Sequence, residues 1–129
     1  MQCKASNLSL RATVGDAAAF ESGAVAEVVE RSAWAKVEVV SADEREQGAA
    51  GGRITLNLGH SLGHAVEAAG GYEALRHGEA VAYGLRAAVG IGRAIGVTPD
   101  ARAERILALL GRLGLAEGRL PYRAEALRE

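Results

Sequence analysis

The 129-residue chain has three histidines, His60, His64 and His77, and all lie close together in sequence. Imidazole is a common metal ligand and the side chain best suited to moving protons near neutral pH. His60 and His64 are four apart, so on a helix both can reach one ion or ligand. At about 100° per residue from His60, His64 falls near 40° and Glu67 near 340°. Leu58, Leu62, Ala65, Val66 and Ala69 occupy the opposite arc. A face carrying His, His and Glu is either a solvated surface or a metal or catalytic site, and spacing alone leaves both open. Gly59 and Gly63 weigh toward the site. Each costs a helix about 1 kcal/mol relative to alanine, which makes sense where another backbone or a ligand comes close. His77 opens a His77-Gly78-Glu79 run at the start of the next predicted helix, and an antiparallel pair of helices would return it to the other two.

Lys36 falls inside the apolar stripe of its own predicted helix, where an unpaired ammonium is costly. It either snorkels to solvent or meets an anion. Arg53 and Asn57 are one α-helical turn apart. An arginine beside free backbone N–H groups at a helix N-terminus makes an anion site, although an arginine alone is more often an ordinary surface residue.

These residues need helices to hold them. Val25, Val28, Val29, Ser32, Lys36, Val39 and Val40, spaced by three and four, predict an amphipathic helix over 24–46, ended by Gly48-Ala49-Ala50-Gly51-Gly52. A second helix is predicted from an Asn57 N-cap to Ala69, stopped by Gly70-Gly71. A third runs over 77–95, with Val81, Leu85, Ala88, Val89, Gly92 and Ile95 as its stripe and Gly96 as its C-cap. Thr98-Pro99-Asp100 opens a fourth, with Ala103, Ile106, Leu107, Leu110 and Leu113 on one face, and 122–129 suggests a short last helix. Ile54–Leu58 is ambiguous between helix and strand. The expected fold class is all-α, a compact helical bundle over residues 16–129 behind an irregular lead-in at 1–15.

Composition narrows the class further. Hydrophobic residues make up 49%, charged residues 24%, and the net charge is −1. That balance suits a globular domain and lacks the basic patch of a nucleic-acid binder. No apolar run reaches the roughly 18 to 20 residues of a membrane span, and no secretory signal opens the sequence. Cys3 stands alone, so an internal disulfide is excluded and a cytoplasmic setting is expected. Alanine (27) and glycine (17) dominate, with one Phe and one Trp. Such a core must be built from small and aliphatic residues in closely packed helices, and a chain this small buries only about two-thirds of its unfolded surface. A partner surface, from a second copy or a complementing chain, is therefore expected to help.

Three runs together carry a specific resemblance: Lys36–Glu46 (KVEVVSADERE), Arg53–Glu67 (RITLNLGHSLGHAVE) and His77–Gly84 (HGEAVAYG). They resemble the C-terminal, helical, metal-binding domain of 3-dehydroquinate synthase, over roughly residues 16–127. The resemblance implies a divalent metal, zinc by preference, and NAD. It also implies conversion of 3-deoxy-D-arabino-heptulosonate 7-phosphate, a sugar phosphate, to 3-dehydroquinate and phosphate in the shikimate route to aromatic amino acids. Alcohol oxidation, phosphate elimination, re-reduction, ring opening and aldol closure follow in that order. His60 and His77 match two metal ligands, and His64 a polar active-site residue near the substrate. Lys36, Arg53 and Asn57 match substrate-binding positions, with Lys36 and His64 the expected catalytic pair.

The sequence departs from the family in what it lacks. The NAD-binding N-terminal domain is not part of it, and no Gly-rich strand–helix motif replaces that domain. The family's third metal ligand, a glutamate, falls near Asn7, and a family lysine falls at Leu10. A complementing N-terminal chain is the expected partner, and the chain alone is expected to be inactive. The rival expectations are a non-catalytic helical domain that binds a metal or a partner, and a piece of a related sugar-phosphate cyclase, from which Asn57 and His64 steer away.

Overall fold

A computed structural model describes residues 25–48, 52–120 and 122–127. Four α-helices run in order: α1 (Val25–Ala42), α2 (His60–Ala69), α3 (His77–Ala94) and α4 (Asp100–Arg112). A 3-10 helix, Arg53–Asn57, precedes α2, and another, Ala124–Leu127, follows α4. No strand occurs among the described residues, so the all-α expectation holds. None of their helices is long and apolar enough to cross a membrane. The lead-in expected at 1–15, with Asn7 and Leu10, lies outside the described residues. The chain divides into two units, Met1–Leu56 and Asn57–Glu129.

In the first unit, α1 follows the predicted valine periodicity but buries none of its residues. Arg31 pairs with Glu27 one turn back at 2.6 Å, an exposed pair worth a few tenths of a kcal/mol. The helix stops at Ala42 rather than at 46, and the glycine-rich break is not what stops it. Asp43 does: one carboxylate oxygen accepts the backbone N–H groups of Gln47 (2.8 Å) and Gly48 (2.9 Å), the other that of Arg53 (3.0 Å). A short acidic side chain that binds nearby backbone donors competes with helix continuation. The Arg53 amide is the main reason the Asp43 carboxyl lies below its ordinary pKa.

The second unit is built on α2 and α3 as an antiparallel hairpin. Gly59, Gly63 and Glu67 form one ridge of α2 and its entry. A Cβ on Gly59 would meet the Leu85 backbone at 2.8 Å, and one on Gly63 would meet Val81 at 3.1 Å. Glu67 reaches His77. Steps of four on one helix thus face steps of four on the other, Leu85, Val81 and His77, the ridge pattern of closely packed helices. From the other side, a Cβ on Gly84 would collide with the Gly59 carbonyl. The close backbone approach expected from Gly59 and Gly63 is therefore present, and its partner is α3.

Asn57 is not the N-cap of α2. It closes the 3-10 turn, and the helix starts at His60, with Gly59 capping in the left-handed region at φ 82°. That conformation is open to glycine at little cost. The Gly59 carbonyl then accepts the first helical bond, from Gly63 N–H at 2.9 Å. The ambiguous stretch Ile54–Leu58 resolves as this 3-10 turn and its exit.

Gly96, at φ 75°, ends α3 as predicted, and Val97 and Thr98 both donate to the Gly92 carbonyl at 2.9 Å. α4 then lays Ala103 and Leu110 into the core, where Ala82, Leu110 and Ala116 are buried with Tyr83, Leu85, Ile106 and Leu115 around them. Arg86 fastens the segment after α4 by donating to the carbonyls of Ala116 (2.6 Å) and Gly118 (2.8 Å). Ala124–Leu127 packs on α2 as a 3-10 turn, shorter than the last helix expected over 122–129.

Candidate metal centre

His60 is the first residue of α2, His77 the first of α3, and His64 stands one turn into α2. The hairpin brings the three imidazoles together. Ring centroids lie 5.7 Å apart for His60 and His64, 5.3 Å for His60 and His77, and 5.6 Å for His64 and His77. His77, on the antiparallel neighbour, thus returns to the pair.

Glu67 lies between two of the rings. Its Oε2 lies 3.0 Å from His64 Nδ1, and His77 Nδ1 lies 3.1 Å from Oε1 and 3.2 Å from Oε2. The Glu67 side chain is 11% exposed, while His64 and His77 are more than half exposed. Hydrogen bonding to His77 lowers the Glu67 carboxyl below its ordinary pKa, with His64 adding to it, against partial burial, which raises it. One ligand atom from each of His64, Glu67 and His77 lies within 4.8 Å of the others, a group able to hold a metal ion. His60 Nδ1 lies 3.4 Å from the Leu58 carbonyl oxygen, a long contact.

The donor set suits a zinc-type ion. Imidazole nitrogens with a carboxylate nearby are borderline ligands, and a carbonyl or carboxylate on the other ring nitrogen is the usual support for a metal-binding histidine. Of the two ligands implied by resemblance, His77 belongs to that group with His64; His60 does not, and only its ring packs beside theirs. The sequence places Glu67 on the histidine face but assigns it no individual role. Its wheel position beside His60 and His64 was the available signal; its bond to His77 crosses between helices, which periodicity within one helix does not register.

The remaining predicted residues belong to other elements. Lys36 is exposed on α1, in the first unit. Arg53 starts the 3-10 turn, and its guanidinium donates to the Glu44 carbonyl at 2.7 Å. Asn57 ends that turn. A 3-10 helix has three residues per turn, so positions four apart do not stack, and the one-turn α-helical relation expected for Arg53 and Asn57 does not form.

The comparisons concern the chain as a whole. The family model described as 3-dehydroquinate synthase C-terminal matches residues 4–128. The chain is 46% identical over 97 residues to a 3-dehydroquinate synthase of Azotobacter vinelandii, covering 75% of this chain and 26% of that protein. It is 44% identical, with the same coverage, to one of Pseudomonas aeruginosa, and 42% identical to one of Nitrosococcus oceani. The chain thus spans about a quarter of the length of the curated relatives it matches. With an all-helical fold, three converging histidines and a family match across nearly its whole length, the chain belongs to the 3-dehydroquinate synthase C-terminal family.

Proposed function

We propose that this chain supplies the metal and substrate half of a 3-dehydroquinate synthase. In the complete enzyme it takes part in converting 3-deoxy-D-arabino-heptulosonate 7-phosphate to 3-dehydroquinate and phosphate. The observation that carries the proposal is the convergence of the His60, His64 and His77 rings on the α2–α3 hairpin, with centroids under 6 Å apart.

In this reading His60 and His77 bind a divalent ion, zinc by preference, and His64 faces the substrate beside them. When bound, such an ion polarises hydroxyl and carbonyl groups of the substrate. The imidazoles must be unprotonated to bind a cation, so loading weakens in acid. His64 accepts or returns a proton at its free ring nitrogen. Lys36, Arg53 and Asn57 hold the anionic carboxylate and phosphate, through charge-assisted hydrogen bonds in the case of the two cations. NAD belongs to the complete enzyme: the described residues contain no strand to carry a dinucleotide-binding turn, and no hydride step is assigned to them.

The test is complementation. The chain is mixed with the separately expressed NAD-binding portion of a 3-dehydroquinate synthase, and phosphate release from the heptulosonate phosphate is followed. Release is expected only with both pieces, and His60→Ala and His77→Ala are expected to abolish it. Turnover unchanged in both variants would contradict the assignment. A second reading, a non-catalytic domain that docks a partner, draws on the exposed Val29 and Trp34 of α1. It expects the two pieces to associate without turnover.

A further inference from the structure

We infer that Glu67 is a positioning residue that fixes the tautomers of two site histidines at once, holding His64 and His77 as Nδ1–H so that Nε2 of each keeps its lone pair. The inference rests on the reading of these histidines as metal- and substrate-facing groups and adds a residue to it.

The geometry is specific. One carboxylate, mostly buried, lies 3.0 Å from His64 Nδ1 and 3.1 Å from His77 Nδ1. A carboxylate above its pKa only accepts hydrogen bonds, so each Nδ1 must carry the proton. A neutral imidazole protonated at Nδ1 has its basic lone pair on Nε2, the atom left for a metal or a substrate proton. His64 and His77 come from different helices, and their rings lie nearly parallel, 29° apart. Glu67 thus ties α2 to α3 at the site and orients both rings together.

The packing explains why this carboxylate reaches both. Glu67 continues the ridge of Gly59 and Gly63, where α2 lies closest to α3. The absence of side chains at those two positions draws the helices together, and the next residue on the ridge meets His77. Within α2, Glu67 is three residues after His64, a spacing that brings side chains into contact on a helix. The same glycines that cost helix propensity therefore place the carboxylate.

The test reads tautomers directly, by long-range nitrogen–proton correlation on the 15N-labelled full chain at about pH 8, where imidazoles are neutral. His64 and His77 are expected as Nδ1–H. Glu67→Ala should move both toward the Nε2–H form that free imidazole side chains prefer in water. Glu67→Gln retains an acceptor oxygen and should keep at least one ring as Nδ1–H. Zinc should then perturb Nε2 of His77 with its Nδ1 proton retained, and Glu67→Ala should weaken zinc binding about 10- to 100-fold.

Wild-type rings found as Nε2–H would overturn the inference, whether or not the alanine variant folds. So would Nδ1–H states that persist in a folded Glu67→Ala, or zinc displacing the Nδ1 proton, which would make Glu67 a partner of the ion itself. If zinc does not bind while the wild-type tautomers and their loss in Glu67→Ala appear as stated, the clasp stands and the metal reading falls. Zinc binding with Nε2–H rings in the wild type would overturn the clasp and leave the metal reading in place.

Discussion

Helices α1 and α3 have the same length, 18 residues, and opposite fates. α3 buries Ala80, Ala82, Gly84, Val89 and Gly92, and α1 buries nothing. Hydrophobicity does not separate them, since α1 carries Val25, Val29, Trp34 and Val37, all exposed. What distinguishes α3 is residue size at its contact with α2. Gly84 on α3 lets the backbone at Gly59 come within van der Waals reach, and the site histidines stand on the two helices so joined. An apolar stripe indicates a face for packing; small residues in register determine how closely a neighbour can approach and where functional groups meet.

The comparison can be broken most forcefully at the glycines. Gly84→Ala drives a Cβ into the Gly59 carbonyl and should cost about 3 kcal/mol, the upper range for overpacking a well-packed contact. Gly90→Ala lies on the same helix with open space around it and should instead stabilise by about 0.5 to 1 kcal/mol. Urea denaturation of both variants checks the pair, and equal effects would refute the close-approach account. Leu110→Ala, in the buried cluster with Ala82 and Ala116, should cost about 2 to 3 kcal/mol by the same measurement.

Trp34→Ala sharpens the contrast from the other side. Trp34 is 61% exposed, so the change should stay within about 0.5 kcal/mol in the chain alone. A loss comparable to that of Leu110→Ala would mean that α1 is packed after all.

The smallest effect concerns Asp43. Its carboxyl pKa is lowered in the fold, mainly by the Arg53 amide. Its contribution is therefore complete above the ordinary carboxylate range and is lost as pH falls through the lowered value. Amide exchange at Gln47, Gly48 and Arg53 should quicken several-fold, relative to neighbouring amides, in Asp43→Ala at neutral pH. In the wild type the same relative change should appear only in acid.

Much of this was legible in the sequence, for physical reasons. The start of α3 at His77, its end before Gly96 and the start of α4 near Pro99 follow from local punctuation. The value of Gly59 and Gly63 followed from asking why a helix would tolerate them. The convergence of the histidines followed from an antiparallel hairpin. The misses concern interactions that spacing within one helix does not encode. Asp43 ended α1 before the glycines did, because its acceptors found amides up to ten residues away. Gly59, rather than Asn57, capped α2, because the contact with Gly84 set where the helix begins. Glu67 stood on the correct face, yet its role depends on a residue from the next helix.

The central claim is that the α2–α3 hairpin forms a metal centre from its histidines, and calorimetric zinc titration of the purified chain tests it most directly. The account predicts one zinc site, lost or greatly weakened in His60→Ala and in His77→Ala while both remain folded by circular dichroism. Zinc affinity unchanged in both variants, or no binding by a folded wild-type chain, would contradict it.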